Sequence, residues 1–185
     1  MAISRAMLAL LITLLCVRVF AAAPAVDAPL PPLAITERGE ITLAGDEFTF
    51  VPWRSDVNPG KVHVVQYFGA TMSDSEIFKP LTDLLEKSLP PGTVHVTTIL
   101  NLDAALWGTT GFVMSELEKN KRIHPQATIV VDDKGQGVVE WDLGKEGLGL
   151  IVTDEQGVVK YFSRQALSET ELASVMELVR THSKS

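Results

Sequence analysis

The side chains from which chemistry could be built in this chain are four histidines, one cysteine and two short segments rich in hydroxyl and carboxylate groups. His63 sits inside the apolar run Val62 to Phe68 and His95 inside a second β-prone run; His124 precedes Pro125 and His182 lies near the C-terminus. None has another histidine three or four positions away, so the spacing that brings two imidazoles onto one metal is absent. Asp132, Asp133 and Gly135 supply only a fragment of a calcium loop and read instead as an Asx turn closed by a glycine of positive φ. No Gly-x-Ser-x-Gly elbow presents a nucleophilic serine, and Gly144-Lys-Glu-Gly147-Leu-Gly149 lacks the spacing of a phosphate loop. No metal and no cofactor is expected. What remains is Thr71, Ser73, Asp74 and Ser75 in one segment, and Asn101, Asp103, Trp107, Thr109 and Thr110 in another. These residue types favour helix caps and turns for local reasons, and the same groups suit a small ligand or a peptide.

The cysteine is Cys16, and its setting removes it from that inventory. Arg5, an apolar run from Ala6 to Phe20 and then Ala21-Ala22-Ala23 read as a cleavable signal peptide over residues 1–21, with the cut between 21 and 25. The run is shorter than the ~20 residues of a spanning helix and is interrupted by Arg18, so no stable membrane anchor is expected. The expectation is a periplasmic protein whose mature form contains no cysteine. Among 185 residues the net charge is −7, and losing Arg5 and Arg18 without any acid deepens it to −9. That sign opposes a phosphate backbone, so nucleic acid is not an expected partner.

The elements that must position the polar segments follow from punctuation and periodicity. Residues 22–32 are proline-rich and predict an extended leader; 33–182 predict a single domain. Two β-prone runs around Arg38-Gly39 predict a hairpin, and Val62 to Phe68 a central strand buried on both faces. A helix is predicted from a capping box at Ser73 and Glu76, burying Ile77, Leu81, Leu84 and Leu85 and stopped by Pro90-Pro91-Gly92. Thr93 to Leu100 predicts a strand. Gly111 to Arg122 predicts a helix with Phe112, Val113 and Leu117 inward and Lys121 outward. Ala127–Val131 with Val138–Trp141 predicts a second hairpin, and Leu148–Thr153 with Val158–Phe162 a third. A final helix opens with a capping box at Ser168 and Glu171. This order predicts one mixed sheet with helices on both faces. Ligands of such sheets sit beyond the carboxyl ends of the strands, here Gly69–Ser75, Asn101–Thr110 and Leu143–Leu148.

The segment Gly60 to Phe68, the hairpin before it, and Leu150 to Val159 with Ala166 to Leu172 resemble thioredoxin-like proteins of the peroxiredoxin and cytochrome-maturation type. His124-Pro125 to Gly135 resembles the extra hairpin of those relatives. More narrowly, Asn101-Leu-Asp103, Gly111-Phe-Val113, Leu117-Glu118, Asn120-Lys121, Pro125 and Ile129-Val-Val-Asp132 resemble the bacterial YtfJ family of small exported proteins. The resemblance covers residues 30–182 and implies a fold without implying an activity.

The thioredoxin-like resemblance places the two redox cysteines of such proteins at Met72 and Ser75, and their cis-proline near Leu148. A thioether is no thiolate nucleophile and forms no disulfide, so thiol-disulfide exchange and cysteine peroxidase activity are not expected. Two readings follow. In the first, the protein is non-catalytic and binds a protein, peptide or small ligand with Met72, Ser73, Ser75, Asn101, Asp103, Trp107 and Leu148, gathered around one cleft. In the second, a cysteine-independent, hydrolase-like enzyme uses hydroxyl and carboxylate groups of the same loops.

Overall fold

The structure is a computed structural model that describes residues 21–57 and 60–183; residues 1–20 of the predicted signal segment, with Cys16, lie outside the described residues. Its elements are β1 (Ala34–Ala44), β2 (Glu47–Arg54), β3 (His63–Gly69), α1 (Met72–Ser75), α2 (Lys79–Ser88), β4 (His95–Asn101), α3 (Thr110–Ile123), β5 (Thr128–Asp132), α4 (Gln136–Glu140), β6 (Gly149–Thr153), β7 (Val159–Ser163) and α5 (Glu169–His182). The strands form one sheet in the order β2-β1-β5-β4-β3-β6-β7. β3 is buried at every position, as its unbroken apolar run requires of a strand covered on both faces. It pairs in parallel with β4 and antiparallel with β6, while β5 adds in parallel beside β4.

Alternation along β3 divides the core. Val64 and Phe68 face a cluster built with Leu81 and Leu85 of α2, Leu117 of α3 and Val175 and Val179 of α5. Val65 and Tyr67 face the other cluster, with Ile99, Val130 and Ile151 of the sheet and Trp141 just after α4. The leader closes that second face. Asp27 N–H donates to Val159 O at 2.8 Å, Leu30 N–H to Gly157 O at 3.1 Å, and the Trp141 indole to Pro31 O at 2.9 Å. Ser55 Oγ, just past β2, accepts the Leu33 N–H at 2.7 Å and donates to Pro31 O at 3.3 Å, which ties the leader to the end of that strand.

Several local expectations are corrected. Arg38-Gly39 is no hairpin turn: β1 runs through it as one strand with a register shift between Ile35 and Glu40, and the turn falls at Gly45-Asp46. Gly39 holds φ +80°, and a Cβ there would lie 2.2 Å from Val51 O, so the glycine serves a bulge. The first helix breaks in two because Pro80, lacking an N–H, starts α2 rather than continuing α1. The cap of α1 is Thr71, whose Oγ1 accepts the Asp74 N–H at 3.1 Å, and the box at Ser73 and Glu76 does not form. The second hairpin is absent as well. Residues 136–140 form helix α4, on which Val138 packs inward and Val139 is exposed. On α3, Phe112 points to solvent, and Lys121 is buried with its Nζ donating to Ala127 O at 2.6 Å. The third hairpin forms as β6 and β7, and Ser168 with Glu171 makes the reciprocal cap of α5.

Candidate functional site

Three strand ends stand side by side: Gly69 of β3 is the register partner of Asn101 of β4, which in turn pairs with Asp132 of β5. Tyr67 pairs with Gly149, so Leu148 enters β6 at the same end of the sheet. Gly69 is required there. A Cβ would lie 2.5 Å from Asp74 Oδ2 and 3.0 Å from Ala104 Cβ, because α1 and the single 3-10 turn over Leu102–Ala104 close over it. The topology thus brings Met72, Ser73, Ser75, Asn101, Asp103, Trp107 and Leu148 to one end of the molecule.

Their roles at that end diverge. Asn101 is buried; its Oδ1 accepts the Asp103 N–H at 3.0 Å and its amide rests against Gly135, so it sets the turn after β4. Leu148 is half-buried and packs against the first core cluster. Ser75 Oγ donates to Met72 O at 2.8 Å, and Ser73 Oγ shares a hydrogen bond of 3.0 Å with Thr71 Oγ1. Asp103 is exposed on its turn. Met72 and Trp107 are different in kind: they are 82% and 101% exposed, with Leu106 at 71% and Phe112 at 60% on the same connection and the first turn of α3. Large apolar side chains held this far into water are unspent hydrophobic area.

Beneath the loops lies a polar anchor that sequence reasoning missed. Asp132 is wholly buried and its carboxylate accepts four hydrogen bonds. Oδ1 takes the backbone N–H groups of Lys134 (3.3 Å) and Gln136 (2.9 Å); Oδ2 takes that of Gly137 (2.8 Å) and the Tyr67 hydroxyl (2.8 Å). Burial, and then the neighbouring Asp132 charge, raises the Tyr67 phenol far above its ordinary value, which keeps it a donor. The tyrosine ring reaches this position only because Gly137 has no Cβ, which would stand 2.2 Å from Cε2. The signal in the sequence was Asp132 four residues before Gln136: an Asx oxygen there caps a helix start as readily as it turns a hairpin.

Among the described residues no group of three or more His, Cys, Asp and Glu is placed to hold a metal, and no peptide bond is cis. The histidines lie away from the strand ends: His63 and His95 open β3 and β4, His124 follows α3 just before β5, and His182 ends α5. No imidazole therefore stands ready to activate Ser73 or Ser75.

Residues 25–182 match the family described as "Bacterial protein of unknown function (YtfJ_HI0045)". The chain is 35% identical over 152 residues to the uncharacterized protein YtfJ of Escherichia coli K12, covering 82% of this chain and 83% of that protein. Among solved structures it is similar to the thioredoxin domain of a thiol-disulfide oxidoreductase from Bacteroides vulgatus, with a TM-score of 0.55 and 16% identity over 85% of this chain and 99% of that one. It is also similar to a secreted thiol-disulfide isomerase from Corynebacterium glutamicum, with a TM-score of 0.56 and 10% identity over 84% of this chain and 85% of that one. The fold is thioredoxin-like, and the sequence holds one cysteine, hence no CxxC pair.

Proposed function

The chain belongs to the YtfJ family of bacterial proteins, and we propose that it is an exported thioredoxin-fold protein without thiol chemistry, which holds a protein or peptide partner against the strand-end face. The observation that carries this reading is the exposure of Met72 and Trp107 at the loops where ligands of such sheets sit. Tryptophan anchors partners because it buries a large area with little loss of side-chain freedom, and methionine is enriched at interfaces because its flexible, polarizable chain adapts to the surface it meets. The hydroxyls of Ser73 and Ser75 are spent on neighbours and no histidine stands at this end, which favours binding over hydrolysis. Export rests on Arg5, the apolar run to Phe20 and the alanines after it. It is in keeping with a secreted neighbour of the same fold and with the absence, among the described residues, of any helix long and apolar enough to cross a membrane.

The test is partner recovery from periplasmic extract with the wild type, Trp107→Ala and Met72→Ala. Losing an anchoring tryptophan weakens an interface by about 2 kcal/mol or more, roughly thirtyfold, so a partner of this face should disappear from the Trp107→Ala sample. Equal recovery of every partner by all three would overturn the proposal.

A further inference from the structure

At the opposite end of the sheet the second core face finishes in a polar row. Thr153 of β6 and His95 of β4 are the register partners of His63 on its two sides. His63 Nε2 and Thr97 Oγ1 share a hydrogen bond of 2.8 Å, and the two imidazoles meet edge to face at 4.8 Å. His63 is 4% exposed and Thr153 2%. Neither the second ring nitrogen of His63 nor the Thr153 hydroxyl has a hydrogen-bond partner among the described residues. Every fully sealed side-chain nitrogen or oxygen among those residues does have a partner, so these two atoms open onto space. Both residues line one recess of about 150 Å³, roofed by Pro29 and Leu30 of the leader and rimmed by Asp56 and Gln156.

The walls define what fits. Among the described lining residues Asp56 alone carries a formal charge, and Arg54 engages its carboxylate at 2.8 Å. Burial, then the nearby His95, depresses the His63 imidazole to about 3, so it meets a ligand as a neutral ring able to donate or accept. Among the described residues no cation lines the recess to hold an anion, and none of its groups belongs to a metal-binding set. A cavity of this size takes a molecule of about six non-hydrogen atoms, the scale of benzene.

We propose that this recess binds a small uncharged molecule with a hydroxyl or carboxamide head and a short apolar tail. The head bonds to the free nitrogen of His63 and the hydroxyl of Thr153, and the tail lies on Pro29 and Leu30. The leader is thereby one wall of a site, separate from the strand-end face.

The experiment is an NMR titration of the protein with propane-1,2-diol and propionamide, with propionate as the charged counterpart. Saturable shifts at the Thr153 and Gly157 amides and the His63 ring, in the millimolar range and with the neutral probes alone, are expected. Thr153→Val keeps the shape and loses the hydroxyl, so binding should weaken about threefold to tenfold, while Thr153→Ser retains it. Trp107→Ala should leave these shifts unchanged, which keeps failure here separate from failure of the partner-binding reading. Non-saturating shifts spread over the surface, equal binding of propionate, unchanged affinity in Thr153→Val, or ordered water as the sole occupant would each overturn the proposal.

Discussion

Replacing Tyr67 with phenylalanine removes one oxygen atom and isolates the contribution of the anchor beneath the strand ends. The ring keeps its place between Gly137 and Trp141, whose centroid lies 6.5 Å away, so packing is preserved. What is lost is the 2.8 Å hydrogen bond to a carboxylate that no water reaches. A hydrogen bond to a charged group contributes ~1.5–3 kcal/mol, and Oδ2 keeps only the Gly137 N–H, so the loss should fall in that range. Asp132→Asn should cost more. Its amide nitrogen must point either at the two backbone donors now on Oδ1 or at Gly137 N–H and the Tyr67 hydroxyl, and only the hydroxyl can turn round to accept. The double variant should cost less than the sum of the two, because both remove the same contact. Urea unfolding of the four proteins, read by far-UV circular dichroism, gives the cycle. A Tyr67→Phe loss below ~0.5 kcal/mol, or strict additivity in the double variant, would refute the claim that this pair anchors the β5–α4 turn.

Three further outcomes follow from the same geometry. Gly137→Ala places a methyl 2.2 Å from the Tyr67 ring and should destabilise by ~1–3 kcal/mol in the same unfolding assay. Because the His63 pKa is depressed to about 3, the unfolded chain binds protons that the folded chain refuses between that value and 6.5. Stability is therefore fully present above the unfolded pKa and falls as pH drops below it, by at most ~1.4 kcal/mol per pH unit; a thermal-melting series from neutral pH to mild acid should show a shallower fall in His63→Gln. Ser55→Ala leaves the buried Leu33 N–H without its acceptor and should cost ~1–3 kcal/mol, detected as faster proteolysis of the leader.

The layers were legible where one physical cue dominated. Val62 to Phe68 could only be a strand with both faces covered, and Ser168 with Glu171 could only open a helix. Local reading failed where a distant partner decided the outcome. Gly39 carries turn chemistry, yet Val51 O across the strand pair turns it into a bulge. Val138, Val139 and Trp141 have strand-forming side chains, yet Asp132 collects the N–H groups that start a helix, and Tyr67 fills the space left by Gly137. At the candidate site, the placement of Met72, Asn101, Asp103, Trp107 and Leu148 at one end followed from strand direction alone. Which of them would be spent inside the fold did not: the burial of Asn101 depends on Gly135, far along the chain, whereas nothing covers Trp107. The leader is the other instance, because proline content predicts its extension and gives no hint that Pro31 O receives the Trp141 indole.

Under the proposed function, a fold associated with thiols serves here as a binding platform through Met72 and Trp107. A photo-crosslinking residue placed at position 107 in cells is compared with one at Val139, an exposed apolar residue on α4. A discrete crosslinked partner is expected from position 107, absent from position 139 and lost when Met72→Ala is added. Crosslinks of equal pattern and intensity from both positions, or none from position 107, would contradict it.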